Sequence, residues 1–160
     1  MVVHNVRSAH NVGSILRTAD AMAAEYVYLS GYTPYPHKDK DDRLPHIARR
    51  ASEQISKTAL GAEKSVSWQR AGNISKLIMD LKEKGFLVVA LEQTPNALDL
   101  EKFKTDKNIA LIVGREVLGI EKTILDQADI HLKITMLGRK ESLNVSVAAA
   151  IALYHCRNLA

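Results

Sequence analysis

The chain contains one cysteine, Cys156, so no internal disulfide can form, and a lone cysteine without a secretion leader fits a reducing compartment. Residues 1–7 carry no basic leader running into a long apolar stretch, which excludes a signal peptide from this reading. No apolar run reaches bilayer-spanning length, and the nearest one, toward the C-terminal end, is broken by Ser146, Tyr154 and His155. The expectation is a soluble, cytoplasmic protein. The six histidines are dispersed without a metal-ligand spacing, and with one cysteine they make no metal site. A GxG-type dinucleotide fingerprint is missing, which disfavours a Rossmann mode of cofactor binding, and residues 7–10 offer no glycine-rich phosphate loop of the flavodoxin-like kind. Internal repeats and low-complexity linkers are absent as well. Aromatics are few: Trp68 and the five tyrosines read as packing or surface residues, with Tyr32 and Tyr35 in a proline-rich loop as the exceptions that could stack on a base.

What is present is 160 residues with 46% apolar composition, enough for one substantial core and too little for two ordinary domains. The net charge of +4 is concentrated: residues 43–70 hold six cations (Arg43, Arg49, Arg50, Lys57, Lys64, Arg70) against Glu53 and Glu63. Such a segment is compatible with a polyanionic partner.

The apolar patterning alternates between two periods. Residues 2–6 read as a strand, ended by the polar cluster 7–11. From Val12 the apolar positions 12, 15, 16, 19, 22 and 23 give a helix, and residues 25–31 a second strand stopped by Gly31. Residues 32–45, with three prolines and a charged run, read as a mobile surface loop. Beyond Pro45, Ile47, Ala51, Ile55 and Ala59 recur every four residues opposite a polar face, giving an amphipathic basic helix. A helix over 73–84 stops at Gly85. Residues 86–91 and 109–113 are continuous apolar runs, as expected of strands buried on both faces of a parallel sheet, with irregular chain between them. A short helix at 121–126, a last strand at 130–134 and a helix at 143–154 complete the chain. The last helix is apolar on nearly every face, so it must be covered, in part by another subunit. Strands alternating with helices make an α/β fold with a mainly parallel sheet.

Three clusters carry chemistry. The first, residues 5–19, puts Asn11 at a helix start where it can cap, and Arg17 six residues on. The second, residues 111–120, runs a strand into a glycine-flanked turn that holds Glu116. In the third, residues 134–148, Ser142 and Asn144 open the buried helix. Each alone also reads as ordinary structure: a capped helix with a solvated Arg17, a strand ending in glycine, an N-cap.

Together, through N-V-G-S-I-L-R-T, V-G-R-E-V-L-G-I and S-L-N-V-S-V-A-A-A-I, they resemble the SPOUT methyltransferases, specifically the SpoU/TrmH branch of RNA ribose 2′-O-methyltransferases, over residues 5–155. The resemblance implies one SpoU-type methyltransferase domain over residues 1–160 without a separate RNA-binding domain. It also implies helices on both faces of the sheet, a C-terminal trefoil knot, a homodimer, and S-adenosylmethionine as cofactor. Cofactor contacts are expected from Leu91, Thr94, Gly114, Ile134, Met136, Ser142 and Leu143: glycine lets backbone approach a ligand, and the apolar side chains can enclose an adenine. Catalysis is assigned by the resemblance to Arg17, with Asn11, Glu116, Ser142 and Asn144 around it. Arginine titrates at about 12.5 or higher. A charged Arg17 that grips a phosphate and stabilises the developing alkoxide is therefore at least as physical as a neutral base. The partner is RNA, either tRNA or rRNA, held through phosphates by Arg7, Arg43, Arg49, Arg50 and Lys57, with no membrane and no metal. Thr135 stands where the family usually shows proline, a departure expected to loosen the cofactor loop. Two alternatives remain open: a non-catalytic knotted RNA-binding module, and a SPOUT enzyme that methylates a base.

Overall fold

The computed structural model describes residues 1–115 and 118–157. Its elements are β1 (Val2–His4), α1 (Ala9–Ala21), β2 (Val27–Ser30), α2 (Pro45–Ala59), α3 (Ala62–Ser65), β3 (Trp68–Ala71), α4 (Ile74–Glu83), β4 (Leu87–Leu91), β5 (Leu98–Asp99), β6 (Ile109–Val113), α5 (Lys122–Leu125), β7 (Ile130–Lys133) and α6 (Val145–Arg157). The strands form one seven-stranded sheet in the order β3-β2-β1-β6-β4-β7-β5, and every pairing is parallel.

Side chains alternate across a strand, so the continuous apolar runs supply both faces of the sheet. Val3, Leu29, Val89, Leu111 and Leu132 pack into a core with α1, α2, α3 and α6. Val2, Val88, Ala90, Ala110 and Ile112 pack on the other side with α4 and α5. Helices therefore cover both faces, as expected.

Five local readings change. The helix expected from Val12 begins at Ala9, because the Ser8 hydroxyl caps it by accepting from the backbone N–H of Asn11 at 3.3 Å. Asn11 thus sits inside the first turn and is not the cap. The last helix begins at Val145, leaving Leu143 in the preceding segment. Two strands escape the sequence reading, β3 and β5, which form the two edges of the sheet. The loop after β2, read as mobile surface, is anchored instead. Thr33 is buried, accepts from Val6 N–H and donates to the Val3 carbonyl, both at 3.1 Å, and the buried Tyr35 ring lies under the Arg43 guanidinium at 3.5 Å. On α2, Ala48, Ile55 and Ala59 are buried, but Ile47, expected on the apolar face, is 47% exposed.

Helices α1 and α2 touch at Gly13. A Cβ there would lie 2.2 Å from both the Ile55 carbonyl oxygen and the Thr58 hydroxyl, so only glycine permits this approach. No helix among the described residues is long and apolar enough to cross a membrane.

Candidate active site

All seven strands run the same way, so their C-terminal ends share one edge, where ligands of open α/β sheets bind. The segments that leave adjacent strands β4, β6 and β7 converge there on a cleft of about 280 Å³. Leu91, Gly114, Ile134, Met136, Ser142 and Leu143 all line it, three stretches of chain brought to one place. Thr94 does not: its hydroxyl faces His131 Nδ1 at 3.2 Å, outside the lining.

Acidic side chains brace these segments. Glu92, at the end of β4, accepts from the backbone N–H of Ile120 at 2.7 Å and from that of Gln93 at 3.0 Å. Gly119, at φ +64, packs so closely on Glu92 that a Cβ would stand 2.2 Å from Oε2. Gly114 is equally confined, since its Cβ would lie 2.5 Å from Ile120 Cγ1. The Gln93 amide donates to the Ile134 carbonyl at 2.7 Å, joining the β4 and β7 ends. Arg115 turns its Nε toward the Gly119 carbonyl (3.3 Å) and pairs through Nη2 with Glu121 Oε1 (3.1 Å).

Glu121 continues the network to the C-terminal end of β1. It accepts from the Asn5 amide at 2.8 Å, and its Oε2 lies 3.2 Å from His4 Nε2. Asn5 takes φ +56, a conformation that asparagine tolerates better than most residues. His4 Nδ1 shares a 2.8 Å contact with the buried Ser30 hydroxyl. Burial lowers the His4 pKa, against the opposing pull of Glu121. Burial alone would raise Glu121, but hydrogen bonds and the charges of His4 and Arg115 bring it below the ordinary value. Oε2 of Glu121 is buried, and the donor beside it is His4 Nε2, which supplies the hydrogen bond whenever it carries a proton, in the neutral Nε2–H tautomer as well as in the imidazolium.

Of the residues expected to act in catalysis, Asn144 stands between the cleft residues Leu143 and Val145 and donates to the Asn11 side-chain oxygen at 3.2 Å. Ser142 is exposed at the cleft. Arg17 projects from the exposed side of α1 and is not part of the lining of the cleft in its own chain. Glu116 lies outside the described residues. Arg115, Gly119, Lys133 and Glu141 line the cleft and were not singled out by sequence; the glycine pair Gly114 and Gly119 was the one available signal. Among the described residues no group of three or more His, Cys, Asp and Glu side chains is arranged to hold a metal.

The candidate phosphate contacts separate into two kinds. Arg7, Arg49, Arg50 and Lys57 are exposed, the last three on α2. Arg43 is turned inward: only 17% of its side chain is exposed, it pairs with Asp41, and it donates to the carbonyls of Tyr35 (3.0 Å) and Pro36 (3.2 Å). Its fork holds the loop together.

Residues 1–154 match the SpoU rRNA Methylase family. A protein of Staphylococcus epidermidis, provisionally named a TrmH family tRNA/rRNA methyltransferase, is 32% identical over 154 residues, which is 96% of this chain and 56% of that protein. The chain thus spans about half the length of the curated relatives it matches. Among solved structures, the A. aeolicus TrmH/SpoU tRNA modifying enzyme superposes with a TM-score of 0.80 at 27% identity over 99% of this chain and 73% of that one. The AdoMet-bound rRNA methyltransferase of Sinorhizobium meliloti gives 0.82 at 26% identity, over 98% of this chain and 54% of that one. With the three ordered motifs, the parallel sheet and the convergence of its β4, β6 and β7 ends on one cleft, these matches show that the chain belongs to the SpoU rRNA methylase family.

Proposed function

We propose that the protein is an S-adenosylmethionine-dependent RNA methyltransferase that modifies a ribose 2′-hydroxyl of tRNA or rRNA, acting as a homodimer. The observation that carries this reading is the cleft, in which six of the seven residues expected at a cofactor site, all but Thr94, come together from three separate segments. The lining suits that ligand. Leu91, Ile134, Met136 and Leu143 supply an apolar slot for an adenine, while Glu92, Arg115, Lys133 and Glu141 supply a polar rim. Bound there, S-adenosylmethionine would supply an electrophilic methyl group on a sulfonium.

The chain's own residues would orient the acceptor. Methyl transfer to a ribose 2′-hydroxyl would leave the cofactor's sulfur neutral, and the hydroxyl proton would pass to solvent water. A guanidinium is suited to stabilising the negative charge that builds on that oxygen, or to gripping the neighbouring phosphate. Arg17 is assigned this role. Because it does not line its own cleft, a second copy is the natural recipient. Val147, Ile151 and Tyr154 leave an exposed apolar stripe on α6, the helix that packs against α1, and docking through that surface would carry Arg17 toward the partner's cleft. We assign to the segment between β7 and α6, which frames the cleft, the C-terminal threading of a trefoil knot. A reducing compartment, the cytoplasm, suits the lone Cys156. Exposed Arg7, Arg49, Arg50 and Lys57 are the proposed phosphate contacts, consistent with the open basic face of α2.

Calorimetry with S-adenosylmethionine tests the cofactor assignment. One site per chain is expected, with unchanged affinity in Arg17→Ala. Absence of heat would favour a non-catalytic RNA-binding module.

A further inference from the structure

Ile134 and Met136 line the cleft, while Thr135, between them in a stretch without regular structure, does not. Its hydroxyl donates to Asp99 Oδ1 at 2.8 Å. Asp99 ends the edge strand β5, in register with Lys133 of β7. Its carboxylate is fixed by Lys102 Nζ at 2.9 Å and neighboured by Lys133 Nζ at 3.9 Å. The acceptor is therefore a carboxylate held below its ordinary pKa by these partners, the stronger kind of hydrogen-bond acceptor. On the β4 side the same stretch is held through its Ile134 carbonyl, by Gln93.

We propose that Thr135 is a positioning residue for the cofactor: its hydroxyl, anchored on Asp99, holds residues 134–136 at the spacing that lets Ile134 and Met136 grip the nucleoside end. The inference rests on the cofactor assignment made above. Thr135 touches no ligand itself. Without its hydroxyl, a tie on a segment outside the sheet ladder is lost, and ordering that segment then falls on binding, which weakens affinity. Lys133 is drawn into the same device, since it lines the cleft and faces Asp99. The exchange expected to loosen the loop is thus one the chain ties down by other means.

Calorimetric titration of S-adenosylmethionine into the full chain provides the test. Thr135→Val should weaken binding about three- to tenfold, the scale of one solvent-exposed hydrogen bond. Thr135→Ser, which keeps the hydroxyl, should bind within about twofold of the unaltered protein, and Asp99→Ala, which also frees Lys133, should weaken binding at least as much as Thr135→Val does. Because the two residues act through one bond, adding Thr135→Val to Asp99→Ala should weaken binding little further. Thr135→Val with unaltered affinity overturns the proposal, even if its melting temperature falls. So does Thr135→Ser binding as weakly as Thr135→Val, or full additivity of the two losses. An unaltered protein that gives no heat overturns the cofactor assignment itself, and this inference with it; binding that ignores Thr135 overturns this inference alone.

Discussion

The Asn144 amide donates to the side-chain oxygen of Asn11 across 3.2 Å, joining residues 133 apart in sequence. The same Asn144 accepts, through Oδ1, from the backbone N–H of Ser146 at 2.9 Å and from its hydroxyl at 2.6 Å. One side chain thus starts α6 and ties it to α1, beside the cleft.

Asn144→Ala should therefore cost about 1 kcal/mol of stability, the usual worth of a helix cap. Asn144→Asp keeps the acceptor and loses only the donor to Asn11, so it should lose less. Urea denaturation checks both: the midpoint should fall with an unchanged slope, and an equal fall in the two variants would contradict the capping role.

Gly119→Ala combines a left-handed backbone with a clash against Glu92. The conformation alone costs about 1–2 kcal/mol. A lower melting temperature is expected, together with weaker cofactor binding as the contacts of Gly119 with Glu92 and Ile120 shift. Removing the clash with Glu92→Ala in the same chain should not restore stability, because the backbone strain and the lost bond to Ile120 remain.

The His4 pKa is lowered by burial, so the folded state binds fewer protons there than the unfolded chain does near its ordinary value of 6.5. Stability from this residue is present above pH 6.5 and lost as pH falls below it. Unfolding midpoints at pH 7.5, 6.5 and 5.5 should decline, and His4→Gln should flatten that decline. Parallel curves for the two proteins would contradict it.

The sequence made most of the buried elements legible because burial on both faces of a sheet dictates their composition: the runs at 86–91 and 109–113 contain β4 and β6. Edge strands obey weaker constraints. β3 exposes Gln69 and Arg70, β5 is two residues long, and neither carries an apolar run. The start of α1 was misplaced because a serine hydroxyl three residues upstream competes for the capping role. Loop order after β2 depends on Arg43 stacking over Tyr35, a contact that composition reads only as charge. At the cleft, the glycines and the apolar strand ends were legible, but the bracing was not. Glu92 meets Ile120 across 28 positions and Asn5 meets Glu121 across 116, and no local spacing announces either pair.

Burial pushes the Cys156 thiol up to about 11. Since the thiolate is the reactive form, iodoacetamide at pH 7.5 should label the native protein far more slowly than the urea-unfolded chain. Comparable rates in a mass-spectrometric time course would show that the thiol is accessible.

Methyl transfer itself is measured by incubating the protein with tRNA or rRNA and S-adenosylmethionine carrying a deuterated methyl group, digesting the RNA to nucleosides, and locating the label by mass spectrometry. The account predicts deuterium on a ribose 2′-oxygen, lost in both Arg17→Ala and Arg17→Lys because the planar guanidinium fork is required. Label on a base, or ribose label undiminished by loss of Arg17, would contradict it.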